Sequence, residues 1–151
     1  MHWLARPPRE PHRETSVLDQ IRSGGCLCGS VRYRVTGALR SVINCHCSQC
    51  RRTHGHFAAY TSAAKAALEL VEDASLRWYG SSPGVRRGFC STCGASLFWE
   101  RTDGPQISIA AGTLDVPTGL ATTRHIYVAD AGDYYTIADN LPRFAGSDAG
   151  E

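Results

Sequence analysis

Features that would place this chain in several large classes of protein are missing from its sequence. No run of about 18 apolar residues occurs, so no membrane-spanning helix is predicted. The basic start of the chain, MHWLARPPREPH, is not followed by an apolar stretch, which argues against a secretory signal. The formal net charge is only +2, from 16 basic and 14 acidic residues, and this is too small to indicate nucleic-acid binding. A phosphate-binding glycine loop is absent as well.

The length and composition that remain are typical of one globular domain. The chain has 151 residues, of which 42% are hydrophobic and 20% charged, enough to bury a core of ordinary size. Residues 1–22 are rich in Arg, Pro and Glu and have no period, so we expect a poorly ordered N-terminal arm. We expect the domain to occupy residues 23–144 and a loose tail to follow at residues 145–151.

Alternation of apolar and polar residues predicts a mainly β fold. Val31, Tyr33 and Val35 alternate with polar residues, which is the two-residue period of a half-buried strand. Turn-forming residues separate further short strand candidates, at 57–60, 68–71, 76–79, 96–99, 106–110 and 125–128. The alanine-rich segment 62–68 is the only helix candidate. Most of the aromatic side chains in the strand candidates should lie in the core, although one could wall a ligand cleft: Trp78, Tyr79, Phe98 and Trp99.

The seven cysteines are the most informative residues. They cannot all pair as disulfides within one chain, and pairs spaced at i, i+2 or i, i+3 make strained bridges. With no export signal, we expect a reducing compartment, the cytoplasm, and metal binding becomes the favoured interpretation. The cysteines are Cys26, Cys28, Cys45, Cys47, Cys50, Cys90 and Cys93.

Spacing divides these cysteines into two sets. In an extended segment Cys26 and Cys28 point to the same face, while Cys90 and Cys93 are spaced for a tight turn completed by Gly94. Each pair is half of a zinc site, and together they supply four thiolates, as in a closed structural site. This site would tie the start of the domain to a segment more than sixty residues later.

The remaining set, Cys45, Cys47 and Cys50, supplies three ligands. Three protein ligands and one vacant position are typical of a catalytic zinc. A vacancy beside thiolates suits a soft ligand such as a small-molecule thiol, which loses its proton on binding zinc and becomes a nucleophile. The side chains of Arg51, Arg52 and His54 follow this set and are candidate substrate contacts, and Arg86 and Arg87 precede Cys90 and could likewise offset thiolate charge or bind carboxylates.

Other arrangements of the three-cysteine set stay open at this point. His54 or His56 could fill the fourth position and make a closed Cys3His site, whereas His46 lies between two ligands and should point to the opposite face. An iron–sulfur cluster with one open iron also fits three cysteines. Finally, Cys26 and Cys28 could pair with Cys45 and Cys47 instead. Near the end of the chain, His125 could be an ordinary hydrogen-bonded histidine or a proton shuttle.

Three motifs in this order, GGCLCGSVRY, CHCSQCRRTHG and FCSTCGASLFW, resemble the glutathione-dependent formaldehyde-activating enzyme family, whose domain is shared with a vertebrate centromere protein. The likeness covers about residues 24–142. It implies a single zinc-tethered, all-β domain of the Mss4-like (β-tent) type. It also implies two zinc ions, a structural one on Cys26, Cys28, Cys90 and Cys93, and a catalytic one on Cys45, Cys47 and Cys50.

The same resemblance implies an activity, that of a carbon–sulfur lyase which joins glutathione and formaldehyde to S-(hydroxymethyl)glutathione. The expected partners are therefore a small-molecule thiol and an aldehyde, with no membrane and no nucleic acid. Two alternatives fit the same residues: a carrier that binds glutathione or its adduct without turnover, and a structural zinc module for macromolecular contacts. The sequence does not indicate an oligomeric state.

Overall fold

Ten β-strands and one short α-helix make up the part of the chain that the structure, a computed structural model, describes: residues 20–148. The strands are β1 Ile21–Gly25, β2 Arg32–Thr36, β3 Val42–Cys45, β4 Ala58–Ala64, β5 Leu68–Glu72, β6 Leu76–Ser82, β7 Val85–Cys90, β8 Ser96–Arg101, β9 Gln106–Ala110 and β10 Thr122–Ile126. The helix, α1, is Ser48–His54. Three 3-10 turns lie at Lys65–Ala67, Ala111–Thr113 and Val128–Asp130.

The strands form two sheets, which confirms the predicted mainly β fold. β1, β2 and β5 make a three-stranded antiparallel sheet, and the other seven follow the order β10-β3-β4-β9-β8-β7-β6. All neighbours in the larger sheet are antiparallel except β10 and β3, which run parallel. Within residues 20–148, no helix is long and apolar enough to cross a membrane.

The core follows from the alternation along the strands. Tyr33 and Val35 of β2 are buried while the arginines between and beside them are at least partly exposed, as the pattern predicts. The ring of Tyr33 meets that of Phe98 from β8 edge-on, with centroids 5.2 Å apart. Phe98 is buried and Trp78 stacks on it, so both have the predicted core role. Tyr79 does not, since it is 62% exposed.

The predicted helix at 62–68 is wrong. Residues 62–64 complete β4, a single 3-10 turn follows, and Leu68 begins β5. The reason is tertiary: β4 pairs with β9 through Ser62 and Ala63, and this pairing overrides the helical propensity of alanine. The actual helix is α1, a segment too short for a helical period to show in the sequence.

Both ends of the domain extend beyond the predicted boundaries. β1 begins at Ile21, which pairs with Thr36, so two residues assigned to the arm belong to a sheet. At the other end, Asp148 is buried and ion-paired with Arg124, and Gly146 accepts a hydrogen bond from the Tyr127 amide at 2.8 Å. Residues 145–148 are therefore held against the domain rather than loose. The rest of the predicted arm and tail, 1–19 and 149–151, lies outside the described residues.

Candidate functional site

Four cysteines from distant parts of the chain lie together at one end of the smaller sheet. The sulfurs of Cys26, Cys28, Cys90 and Cys93 are all within 4.8 Å of one another. Cys26 and Cys28 follow β1, Cys90 ends β7, and Cys93 lies in the turn before β8. The Cys28 and Cys90 sulfurs, 62 positions apart in sequence, are 3.7 Å apart. Two separate sheets therefore meet at one cluster of thiols, which we call the clamp.

A second cluster contains the three remaining cysteines, again with all sulfurs within 4.8 Å. Cys45 ends β3, Cys47 is the N-cap of α1, and Cys50 lies in its first turn. The Cys50 amide donates to the Cys47 sulfur at 3.4 Å, so the helix start itself fixes this pair. We call this cluster the trio. The pairing of Cys26 and Cys28 with Cys45 and Cys47, which the spacing left open, is not the one that the structure forms.

No histidine or carboxylate from residues 20–148 joins either cluster. His46 is fully buried and hydrogen-bonded to His125, outside the trio, as its position between two of the cysteines predicted. His54 lies at the far end of α1, next to Gly55, which closes the helix in a left-handed conformation. The closed Cys3His arrangement is therefore absent from the described residues.

The ionisation of the trio shows how closely its sulfurs interact. The pKa of Cys47 falls to about 2 because the Cys45 and Cys50 thiols donate hydrogen bonds to its sulfur. The pKa of Cys45 rises, chiefly through the same bond to Cys47. The three sulfurs thus share protons among themselves, and a cation at the same place would replace those protons. Three soft sulfur donors at this separation fit zinc.

The trio opens onto a cavity of about 400 Å³. This volume lies within the usual range for small-molecule sites. Its lining includes both aromatic and cationic side chains, so the cavity combines apolar contact area with positive charge. The side chains around the trio include Arg40, Gln49, Tyr60, Arg87, Trp99 and Tyr127. Of the four aromatic residues predicted for the core, Trp99 lines this cavity, and nothing in the sequence singles out Arg40, Gln49 and Tyr127.

Arg87 places a buried positive charge beside the trio. Its guanidinium nitrogens Nη1 and Nη2 donate to the Cys50 sulfur at 3.9 and 4.0 Å, and Nη2 also donates to the Gln49 side chain at 3.2 Å. The residue is 7% exposed and comes from β7, whose last residue is Cys90 of the clamp. An arginine is a permanent cation, so the site carries one fixed positive charge at the edge of its thiolates.

The predicted substrate contacts lie elsewhere around the trio. Arg51 and Arg52 are in the last turn of α1 and do not line the cavity, which leaves their proposed role without support from geometry. His54 lines a smaller neighbouring cavity of about 220 Å³, which shares Tyr60 and Arg87 with the first. Burial lowers the pKa of His54, and the charge of Arg87 adds to this effect. His125 is buried and hydrogen-bonded to His46 and Asp139, which fits the first of the two roles that the sequence offered, an ordinary hydrogen-bonded histidine.

Comparison with known proteins gives this geometry a context. Residues 21–130 match the model of a family described as glutathione-dependent formaldehyde-activating enzyme. A protein of Schizosaccharomyces pombe named an uncharacterized lyase is 29% identical over 123 residues, which cover 80% of this chain and 88% of that protein. A Halomonas elongata protein with the provisional name glutathione-dependent formaldehyde-activating enzyme is 33% identical over 97 residues, but this match covers 52% of this chain and 55% of that protein.

A solved structure shares the fold. The crystal structure of a Rhodobacter sphaeroides protein superposes with a TM-score of 0.52 at 28% identity, over 67% of this chain and 99% of the other. The match thus takes in almost all of that protein and leaves a third of this chain unmatched.

Proposed function

We propose that this chain, which belongs to the glutathione-dependent formaldehyde-activating enzyme family, is a zinc-dependent carbon–sulfur lyase that joins a thiol to a small aldehyde. The substrates that best fit the family are glutathione and formaldehyde, and the product is S-(hydroxymethyl)glutathione. One observation carries the proposal: three cysteine sulfurs, with no fourth side-chain ligand among residues 20–148, open onto a cavity large enough for a small molecule.

The two clusters would divide the metal chemistry between them. The clamp, Cys26, Cys28, Cys90 and Cys93, would hold a structural zinc with four thiolates. The trio, Cys45, Cys47 and Cys50, would hold a second zinc that supplies Lewis acidity and favours the deprotonated form of a thiol. The seven cysteines are all free, which suits a metal-binding role in a reducing compartment, and we place the protein in the cytoplasm.

Arg87 can contribute to the chemical step itself. When a thiol adds to formaldehyde, a carbon–sulfur bond forms and the carbonyl π electrons move to oxygen. The proton of the thiol passes to water, and the oxygen takes a proton from water, so the two transfers balance. Negative charge thus develops on the aldehyde oxygen before that proton arrives. The Arg87 guanidinium is held by Gln49 at the edge of the trio, where a fixed cation in a buried site stabilises such charge.

The walls of the cavity favour an anionic thiol. Arg40 and Arg87 bring positive charge, and Tyr60, Trp99 and Tyr127 bring flat apolar surface. Glutathione carries two carboxylates at neutral pH, and arginine binds carboxylates through paired hydrogen bonds. Formaldehyde is small enough to need no pocket of its own beside the thiol. The cavity therefore supports a charged thiol substrate better than an apolar one.

Exchange NMR on glutathione and formaldehyde tests this function, because it measures the rate of adduct formation at equilibrium. We expect the zinc-loaded protein to accelerate the reaction over the protein-free solution. Arg87→Met should lower the acceleration by about 100-fold, the usual cost of removing one group that stabilises transition-state charge. Arg86→Met is the matched control, because Arg86 lies over Trp78 and pairs with Glu100 away from the cavity, and it should leave the acceleration unchanged.

Two outcomes would count against the proposal. Equal exchange rates with and without protein would remove the enzyme function, and calorimetry that still showed glutathione binding would then identify a carrier. A rate that falls equally in Arg86→Met and Arg87→Met would retain the enzyme but refute the role of Arg87.

A further inference from the structure

A chain of hydrogen bonds runs from His46, the residue between two cysteines of the trio, to the C-terminal segment. His46, between Cys45 and Cys47, is fully buried. Its Nε2 lies 2.9 Å from Nδ1 of His125, whose own Nε2 lies 2.9 and 3.1 Å from the two carboxylate oxygens of Asp139. On its other side, His46 Nδ1 is hydrogen-bonded to the Tyr135 hydroxyl. Four side chains from three segments are thus connected in one line.

The carboxylate gives this line a direction. The hydrogen bond from His125 lowers the pKa of Asp139, and an ionised carboxylate can only accept. With both imidazoles neutral, His125 donates through Nε2, His46 donates to His125 Nδ1, and the Tyr135 hydroxyl donates to His46 Nδ1. Both ring nitrogens of each histidine therefore have a hydrogen-bond partner.

His46 is the only residue between the strand that carries Cys45 and the helix N-cap Cys47. The orientation of its peptide therefore sets the separation of those two sulfurs. Its amide donates to the Ile126 carbonyl at 3.0 Å, and its ring is stacked on Tyr135, with centroids 5.6 Å apart. The backbone of His46 is thus held by β10, and its side chain is held by the segment that contains Tyr135.

We propose that Asp139, His125 and His46 are positioning residues that hold Cys45 and Cys47 at the separation a metal requires. This inference rests on the trio being the open metal site of the proposed function. None of the three lines the cavity beside the trio, so they act on the ligands and not on the substrate. Groups that hydrogen-bond directly to metal ligands typically contribute about 10- to 100-fold to metal affinity, and residues that act through the His46 peptide should contribute at the lower end of that range.

Zinc competition with a chromophoric chelator tests the inference on the full-length protein. Wild type should release two ions in two steps, and the step that belongs to the trio is the one missing from Cys47→Ser. Asp139→Asn and Asp139→Ala should each weaken the trio step by about tenfold or more, with the clamp step unchanged. Asp139 is 47% exposed on its side chain, so both variants should fold. Asp133→Asn is the matched control, because Asp133 is an exposed aspartate of the same segment that takes no part in these hydrogen bonds.

Two results would overturn the inference. Trio affinities in both Asp139 variants that equal the Asp133→Asn value would remove the positioning role, and equal weakening of both metal steps would show a general structural defect instead. Asparagine can keep one hydrogen bond through its amide oxygen, and for this reason the alanine variant is needed. Two intact metal steps without any acceleration of adduct formation would contradict the proposed function alone, whereas a wild type with only one step would contradict both.

Discussion

Replacing Cys47 with serine is expected to return the rate of adduct formation to that of the protein-free reaction. The variant removes one of the three sulfurs of the trio, and a hydroxyl oxygen is a poor ligand for zinc at neutral pH beside two thiolates. Exchange NMR on glutathione and formaldehyde measures this loss directly. The substitution leaves the clamp untouched, so the protein should retain one tightly bound ion.

Serine is well suited to this position in the fold. Cys47 is the N-cap of α1 and accepts the Cys50 amide through its sulfur, and serine is among the preferred N-cap residues because its oxygen can take over this bond. The unfolding midpoint of Cys47→Ser should therefore stay close to that of the wild type. A variant that keeps the full acceleration, at unchanged stability, would show that the trio has no part in the reaction.

Replacing Cys90 with serine, unlike the Cys47 substitution, is expected to lower the stability of the whole domain. Cys90 is fully buried at the point where the end of β7 meets the turn after β1. A structural zinc site can contribute on the order of 10 kcal/mol, since its binding energy is also folding energy. We expect Cys90→Ser to lose about 4 kcal/mol or more, or roughly 10 °C or more in the unfolding midpoint for a chain of this length.

Cys90→Ala separates the loss of a metal ligand from the burial of a hydroxyl. Both variants should lose a similar amount of stability. A strong chelator should lower the unfolding midpoint of the wild type to that of the two variants. Differential scanning calorimetry at matched zinc concentration provides the comparison with Cys47→Ser. Equal losses of stability at Cys47 and Cys90 would contradict the division into a structural and a catalytic cluster.

The close pairs of cysteines could be predicted because each pair depends on local geometry. A spacing of i, i+2 in extended chain puts Cys26 and Cys28 on one face, and the i, i+3 turn of Cys90 and Cys93 does the same. The structure joins these two pairs into one cluster, whereas the spacing had left open the pairing of Cys26 and Cys28 with Cys45 and Cys47. Similarly, strand β2 was predictable because its burial alternates residue by residue.

Arg87 was a candidate for offsetting thiolate charge because it precedes Cys90, but its place beside the trio could not be predicted, because that depends on the order of strands. Arg87 reaches Cys50 across 37 positions of sequence, and Arg51 and Arg52, although adjacent to Cys50, extend from the far turn of α1 instead. Strands β3 and β7 were not predicted either, because neither has a clear alternation of apolar and polar residues. β3 is buried along nearly its whole length and shows no alternation, and β7 contains adjacent arginines and a glycine.

The hydrogen bonds that connect His46, His125 and Asp139 could not be predicted from the sequence either. The position of His46 between two ligands predicted that it would turn away from them, but its partners, His125 and Asp139, lie 79 and 93 positions later in the sequence. Their contact exists because β10 pairs in parallel with β3. Nothing in the local pattern of the last 30 residues indicates that pairing.

X-ray absorption at the zinc edge, on protein with and without glutathione, tests the central claim most directly. The account predicts two ions per chain at rest, one with four sulfur neighbours and one with three sulfurs and a lighter atom. Added glutathione should raise the mean sulfur count, since its thiol would replace that lighter atom at the trio. A spectrum with both ions fully coordinated by protein side chains, unchanged when glutathione is added, would contradict the account.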